Sequence, residues 1–65
     1  MIAYTVNNEP RTGPAPSVAR LIDAEVGARE GVAVAINARV VPASRWDRLI
    51  AEGDEVDILT AVQGG

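Results

Sequence analysis

Apolar and polar residues alternate along the first segment, "IAYTV": Ile2, Tyr4 and Val6 share one face and Ala3 and Thr5 the other, which predicts a half-buried strand. Asn7 and Asn8 come next, and because asparagine tolerates positive φ better than most residues, the pair predicts a tight hairpin turn. The returning segment "EPRTGPAP" holds three prolines and a glycine. Proline cannot donate to a ladder, so any strand here is expected to be short and at a sheet edge. From Ser17 the period changes. Val18, Leu21, Ile22 and Val26 recur at i, i+3, i+4 and i+8, with Arg20, Asp23 and Glu25 opposite, the pattern of an amphipathic helix. Ser17 is placed as its N-cap and Gly27 as its stop, for about nine residues and roughly 13 Å of rod. A helix that short needs a sheet to lie on.

Alternation returns in "VAVAIN", with Val32, Val34 and Ile36 on one face and Ala33 and Ala35 on the other. Asn37-Ala38-Arg39 reads as a turn into the apolar pair Val40-Val41, and Pro42 ends that strand. In "SRWDRLI", Ser44 followed three residues later by Asp47 is a variant capping box, which predicts a helical turn over 44–49 with Trp46, Leu49 and Ile50 inward. Gly53-Asp54 makes another turn. The last strand is "EVDILTAV", in which Val56, Ile58, Thr60 and Val62 alternate against Asp57, Leu59, Ala61 and Gln63. One sheet covered on one face by one helix is the two-layer solution open to this order. The expected fold is therefore α+β, a β-grasp with a mixed sheet of about four to five strands, in a single domain over residues 1–65.

Composition narrows the function. Cysteine and histidine are both absent and all six basic residues are arginine, which excludes disulfides, CxxC redox chemistry and thiolate metal sites. The hydroxyls of Ser17, Ser44, Thr5, Thr12, Thr60 and Tyr4 have only carboxylates to serve as bases, a poor basis for nucleophilic catalysis. The chain is expected not to be an enzyme and to hold no metal or cofactor of its own. A net charge of −3 repels phosphate backbones and anionic lipid heads, so neither nucleic acid nor membrane is an expected partner. The longest apolar run, Val32 to Ile36, falls far short of the ~20 residues of a spanning helix, and "MIAYTVNNEPR" lacks the layout of a signal peptide. A cytoplasmic location is expected.

The candidate chemistry lies at the end, "TAVQGG". Gly64 and Gly65 come directly after a strand, so the terminal carboxylate is expected to be carried clear of the fold on a thin, flexible arm with Gln63 at its root. Ionised at neutral pH, that carboxylate is a nucleophile for the α-phosphate of ATP in a partner's active site. Side chains at the last two positions would widen the arm, whereas glycines pass a narrow channel. On the strand itself, if Val56 and Ile58 face the helix then Leu59 faces solvent, and Leu59, Ala61 and Val62 become candidate docking positions beside the tail. Glu52, Asp54, Glu55 and Asp57 just before them read as a solvated turn or as a steering patch for a basic groove. Trp46 reads as core and Asn37 as a turn residue.

The short length, "VAIN" with "VVPASRW", "EGDEVDILTAVQGG" and the terminal diglycine together resemble the ThiS-like sulfur carriers of thiamin biosynthesis, a ubiquitin-like β-grasp family. The stretch from 32 to 65 carries the specific part of the likeness, while the proline-rich "EPRTGPAP" departs from a clean second strand. The resemblance implies that a ThiF-like enzyme adenylates the Gly65 carboxylate with Mg·ATP, both supplied by that enzyme. Sulfur then replaces AMP to give a Gly65 thiocarboxylate, and a ThiG-like thiazole synthase takes the sulfur. The diglycine alone is shared with ubiquitin-like modifiers and with the small subunit of molybdopterin synthase. A carrier for molybdopterin or another pathway, a modifier, and a non-covalent β-grasp interaction module therefore stay open at this point.

Overall fold

Asn7 and Asn8 both take positive φ, 49° and 70°, and close a two-residue hairpin between β1 (Ile2–Val6) and β2 (Glu9–Gly13). The computed structural model describes residues 1–60. The pairing runs the full five residues, so β2 is a more regular strand than its prolines led one to expect. Register explains how. Val6 and Glu9 close the turn as a ladder-bonded pair, so Pro10, opposite Thr5, falls at the alternate position whose N–H would point outward. Nothing is lost by its absence there, and β2 is the edge strand that proline requires.

After β2 the chain crosses through α1 (Val18–Glu25) to β3 (Val32–Ile36), turns at Asn37-Ala38 into β4 (Arg39–Val41), makes one 3₁₀ turn over Ala43–Arg45, and returns as β5 (Glu55–Thr60). The sheet order is β2-β1-β5-β3-β4, with β5 parallel to β1 and antiparallel to β3. Strands from the two ends of the chain thus meet in the middle of the sheet, and α1 lies across one face. This is the β-grasp expected from the pattern.

The core is the helix side of that sheet. Val18, Leu21 and Ile22 of α1 join Val6, Val34, Ile36, Val41, Val56 and Ile58 from four strands, and Trp46 and Ile50 close the end, with Ile2, Tyr4 and Val32 packed at the margin. Val18 and Ile22 are fully inaccessible, each such side chain being worth about 1.5–3 kcal/mol of burial. Trp46 is core as expected, and its indole Nε1 donates to the Val41 carbonyl at 3.1 Å.

The N–H groups of Val18, Ala19 and Arg20 at the start of α1, which no helical carbonyl can reach, are all bonded, and Leu21 makes the first helical bond. Val18 and Ala19 donate to the carbonyls of Arg48 and Trp46, Arg20 donates to the Ser17 hydroxyl at 3.1 Å, and Leu21 donates to the Ser17 carbonyl. Ser17 is the predicted N-cap, and Gly27 at φ 84° ends the helix, donating back to Ile22.

Three packing expectations need correction. Val26 is the C-cap of α1 and stands 36% exposed at the rim instead of within the apolar face. The helical turn occupies Ala43–Arg45, begun by Pro42 with no side-chain cap, so Ser44 lies inside the turn and no capping box with Asp47 forms. Leu49 points to solvent, 62% exposed, because the chain beyond Trp46 has left helical spacing. Leu49 pairs in an isolated antiparallel bridge with Ser17, and the alternation of extended chain turns its neighbour Ile50 inward.

Candidate functional site

The strand that leads to the diglycine is the central one, and its backbone is held from both sides. β3 pairs with it from Val56 to Thr60. On the other side β1 pairs only as far as Val56, and beyond that point the Asn7 side chain takes over. Asn7 Nδ2 donates to the Ile58 carbonyl at 3.3 Å and Asn7 Oδ1 accepts from the Ile58 N–H at 2.8 Å, so one carboxamide stands in for a strand residue. Asn37 does the corresponding work at the strand's start. Its Oδ1 accepts from the Glu55 N–H at 3.0 Å, and its Nδ2 donates to Asp54 Oδ1 at 3.1 Å.

Asp54 is the anchor of this root and corrects its reading as part of a solvated acidic turn. Only 6% exposed, it accepts from Asn37, from the Ala51 N–H at 2.9 Å, and from Arg48 at 3.4 Å. A buried carboxylate stays tolerable when hydrogen bonds and a cation satisfy it. The exposed acidic set near the tail strand is therefore Glu52, Glu55 and Asp57, and Glu52 also accepts from the Ala3 N–H at 3.0 Å.

The face of the sheet away from α1 is uncovered among the described residues. Alternation along β5 places Val56 and Ile58 in the core and Leu59 on the open face, 69% exposed, as expected from the sequence. Leu59 lies opposite Ala33, and one step along the ladders Asp57, Ala35 and Val40 form a cross-strand row. Val40 is 79% exposed, so two large apolar side chains stand on an otherwise small-residue surface. Sequence reasoning saw Val40 only as half of an apolar pair. The signal was there in Pro42 and Val41: with Val41 inward, Val40 must face out. Ala61, Val62, Gln63, Gly64 and Gly65, the other predicted site residues, lie outside the described residues.

The shifted titrating groups sit on the helix side. Arg11 of β2 makes a two-point pair with Glu25 at 2.6 and 2.9 Å; that hydrogen bonding holds the Glu25 carboxyl below its usual range and raises the Arg11 guanidinium. Asp23 is lowered in the same way by Arg29, at 3.0 and 3.1 Å, and Arg29 is raised in turn. Among the described residues no cluster of three carboxylates could hold a metal ion, and no helix is long and apolar enough to cross a membrane.

A five-stranded mixed sheet with one helix on one face, whose middle strand is the last, defines a ubiquitin-like β-grasp protein. A family model narrows the class. The chain belongs to the ThiS family, whose model matches residues 4–65. It is similar to the crystal structure of the thiamine biosynthesis protein ThiS from Geobacter metallireducens, with 30% identity and a TM-score of 0.78 over 98% of this chain and 100% of that one. No curated protein matches the chain.

Proposed function

We propose that this protein is a sulfur carrier in thiamin biosynthesis and a co-substrate of other enzymes, with Gly65 as the residue that bears the sulfur. The observation that carries the reading is the family match, which runs to residue 65 and so includes Gly64 and Gly65. A carboxylate oxygen of Gly65 attacks the α-phosphorus of ATP bound with Mg in a ThiF-like enzyme, and pyrophosphate leaves. Sulfur at the sulfide level then displaces AMP from the acyl-adenylate, the C–S bond forming as the C–O bond to AMP breaks, and leaves a thiocarboxylate that passes its sulfur to a ThiG-like thiazole synthase. ATP and Mg belong to the activating partner, and the carrier contributes an end group and a surface.

The root of the arm supports this division of labour. Fixed by Asn7, Asn37 and Asp54, the described part of β5 gives the tail a defined origin beside Leu59. Docking through Leu59, with Ala61 and Val62 beyond it, would then place the end group without the partner having to order the strand first.

The test is intact and C-terminal-fragment mass spectrometry after incubation with Mg·ATP, a ThiF-like enzyme and a sulfur source. The expected result is exchange of oxygen for sulfur localised to Gly65, fragmentation being needed because oxidation of Met1 adds nearly the same mass. Deletion of Gly65 is expected to abolish transfer, and Leu59→Asp, on a fully folded chain, to slow adenylation roughly tenfold. Full sulfur transfer by the truncated chain would overturn the carrier mechanism.

A further inference from the structure

The charge on this chain is not spread evenly. Although the net charge is −3, three of its six arginines fall between residues 39 and 48. Arg39, Arg45 and Arg48 line a groove of about 380 Å³ along β4, floored by Val40, Val41 and Pro42. Arg48 is drawn toward Asp54, but Arg39 and Arg45 make no ion pair among the described residues. All three are exposed.

The groove runs beside a free strand edge. β4 ends the sheet on this side, and its register fixes which backbone groups face out. Ile36 and Arg39 close the Asn37-Ala38 turn as a ladder-bonded pair, and Val34 and Val41 form the next, so the intervening Val40 directs both its N–H and its C=O away from β3. Lone charges on an edge commonly guard it against pairing with a second copy, and these arginines repel an identical edge. The same charges favour one kind of incoming strand.

We propose that the β4 edge binds an extended acidic segment of another protein, which adds to Val40 as a short strand and sets its carboxylates against Arg39 and Arg45. Backbone pairing at Val40 fixes the register, the Val41-Pro42 floor takes an apolar side chain, and the guanidiniums select acidic residues, paired two-point where geometry allows. Apolar lining from Val41 and Pro42 beside an outward N–H and C=O fits a peptide better than a compact phosphate. The site lies at the sheet's margin, and the inference does not depend on the chemistry of Gly65.

The test is an NMR titration of the full ¹⁵N-labelled chain with a synthetic peptide of alternating Glu and Val. Saturable shifts are expected at the Val40 amide and at the Nε of Arg39 and Arg45, weakening as salt rises. A double variant, Arg39→Glu with Arg45→Glu, is expected to lose affinity roughly tenfold or more. Val40→Pro removes an outward N–H that the β3 ladder does not use and sits on a sheet edge where proline is tolerated, and should weaken the peptide while leaving the arginine response to inorganic phosphate unchanged. Absence of a saturable shift, equal binding of an Arg-Val peptide, or arginine shifts with phosphate alone and none at Val40 would each overturn the proposal. Undiminished peptide binding by Val40→Pro would overturn strand addition as well.

Discussion

Two hairpins flank the central strand, and they hold it with the same residue in the same place. Asn7 and Asn37 each open a two-residue turn at positive φ, each donates its backbone N–H to β5, and each bonds β5 again through its side-chain amide. They differ in what the amide reaches and in the second residue of the turn. Asn7 meets only main chain, the N–H and carbonyl of Ile58, whereas Asn37 also donates to the buried Asp54 carboxylate. Asn8 then takes φ 70°, a conformation asparagine tolerates, while Ala38 takes φ 68° with a Cβ that opposes it. One turn is thus chosen for its local conformation as well as its bonds, and the other is held in place by its bonds against a local preference.

The largest effect should come from removing the amides. Asn37→Ala strips a hydrogen bond from a carboxylate and an acceptor from the Glu55 N–H, for an expected loss of about 3 kcal/mol in urea unfolding. Asn7→Ala removes two neutral bonds to Ile58 and should cost about 2 kcal/mol. Glycine at each position keeps the positive φ without strain, so the Gly variants report loss of the amide free of turn strain, together with the unfolded-chain freedom that glycine adds equally at both positions. Hydrogen exchange should rise at Ile58 in the first hairpin's variants and at Glu55 in the second's. Equal losses at the two positions would mean that Asp54 adds nothing to the second hairpin.

A smaller effect of opposite sign tests the second turn residue. Ala38→Gly relieves a left-handed alanine at the cost of extra freedom in the unfolded chain, and should stabilise the protein by about 0.5–1 kcal/mol. Asn8→Gly has less strain to relieve and should stay within about 0.5 kcal/mol of the parent. If the two substitutions prove equal, the strain ascribed to Ala38 is absent.

How much of the fold was legible in the sequence depends on how far each residue's role reaches along the chain. The alternation in β1, β3 and β5 up to Thr60, the Ser17 cap and the Asn7-Asn8 turn rest on near neighbours, and all stand as read. The asparagines could be read as turn formers, but their second bonds reach 51 and 18 positions along the chain, which no local pattern records. Asp54 was misread for the same reason. A carboxylate next to a glycine in an acidic stretch looks solvated until Ala51, Asn37 and Arg48 are brought around it. Leu49 failed differently: helical spacing was extended past the point where the turn ends, and the bridge to Ser17 that reorients the chain is a tertiary contact. In the candidate site, the facing of Leu59 was legible because a strand's alternation alone decides it. Ala61 to Gly65 lie outside the described residues.

The hairpins differ also at their outer edges, and acid should reveal it. β2 is tied to the C-terminal end of α1 by Arg11 and Glu25, whereas Arg39, the arginine of β4, makes no ion pair among the described residues. Glu25 sits where the helix dipole disfavours a negative charge, and the hydrogen bonds from Arg11 nonetheless hold its carboxyl below the usual 4.5. A carboxyl whose pKa is lower in the folded than in the unfolded chain stabilises the fold above the unfolded value and loses that contribution as pH falls through the folded one. The tie is therefore fully present at neutral pH and disappears progressively below about pH 4.5. Asp23, lowered by Arg29, works in the same direction from 3.8 downward, but both partners are more than half exposed and solvent screens them. Arg11→Met removes the first pair together with Arg11's longer contact to Glu9 at 3.4 Å: the variant should unfold at lower urea concentration at pH 7, and the gap should close as pH drops through Glu25's titration. Such a gap has to be small, since Arg11 is a third exposed. A gap that persists unchanged at low pH would mean that Arg11 stabilises β2 by packing its stem over the helix end, with the charge pair contributing nothing.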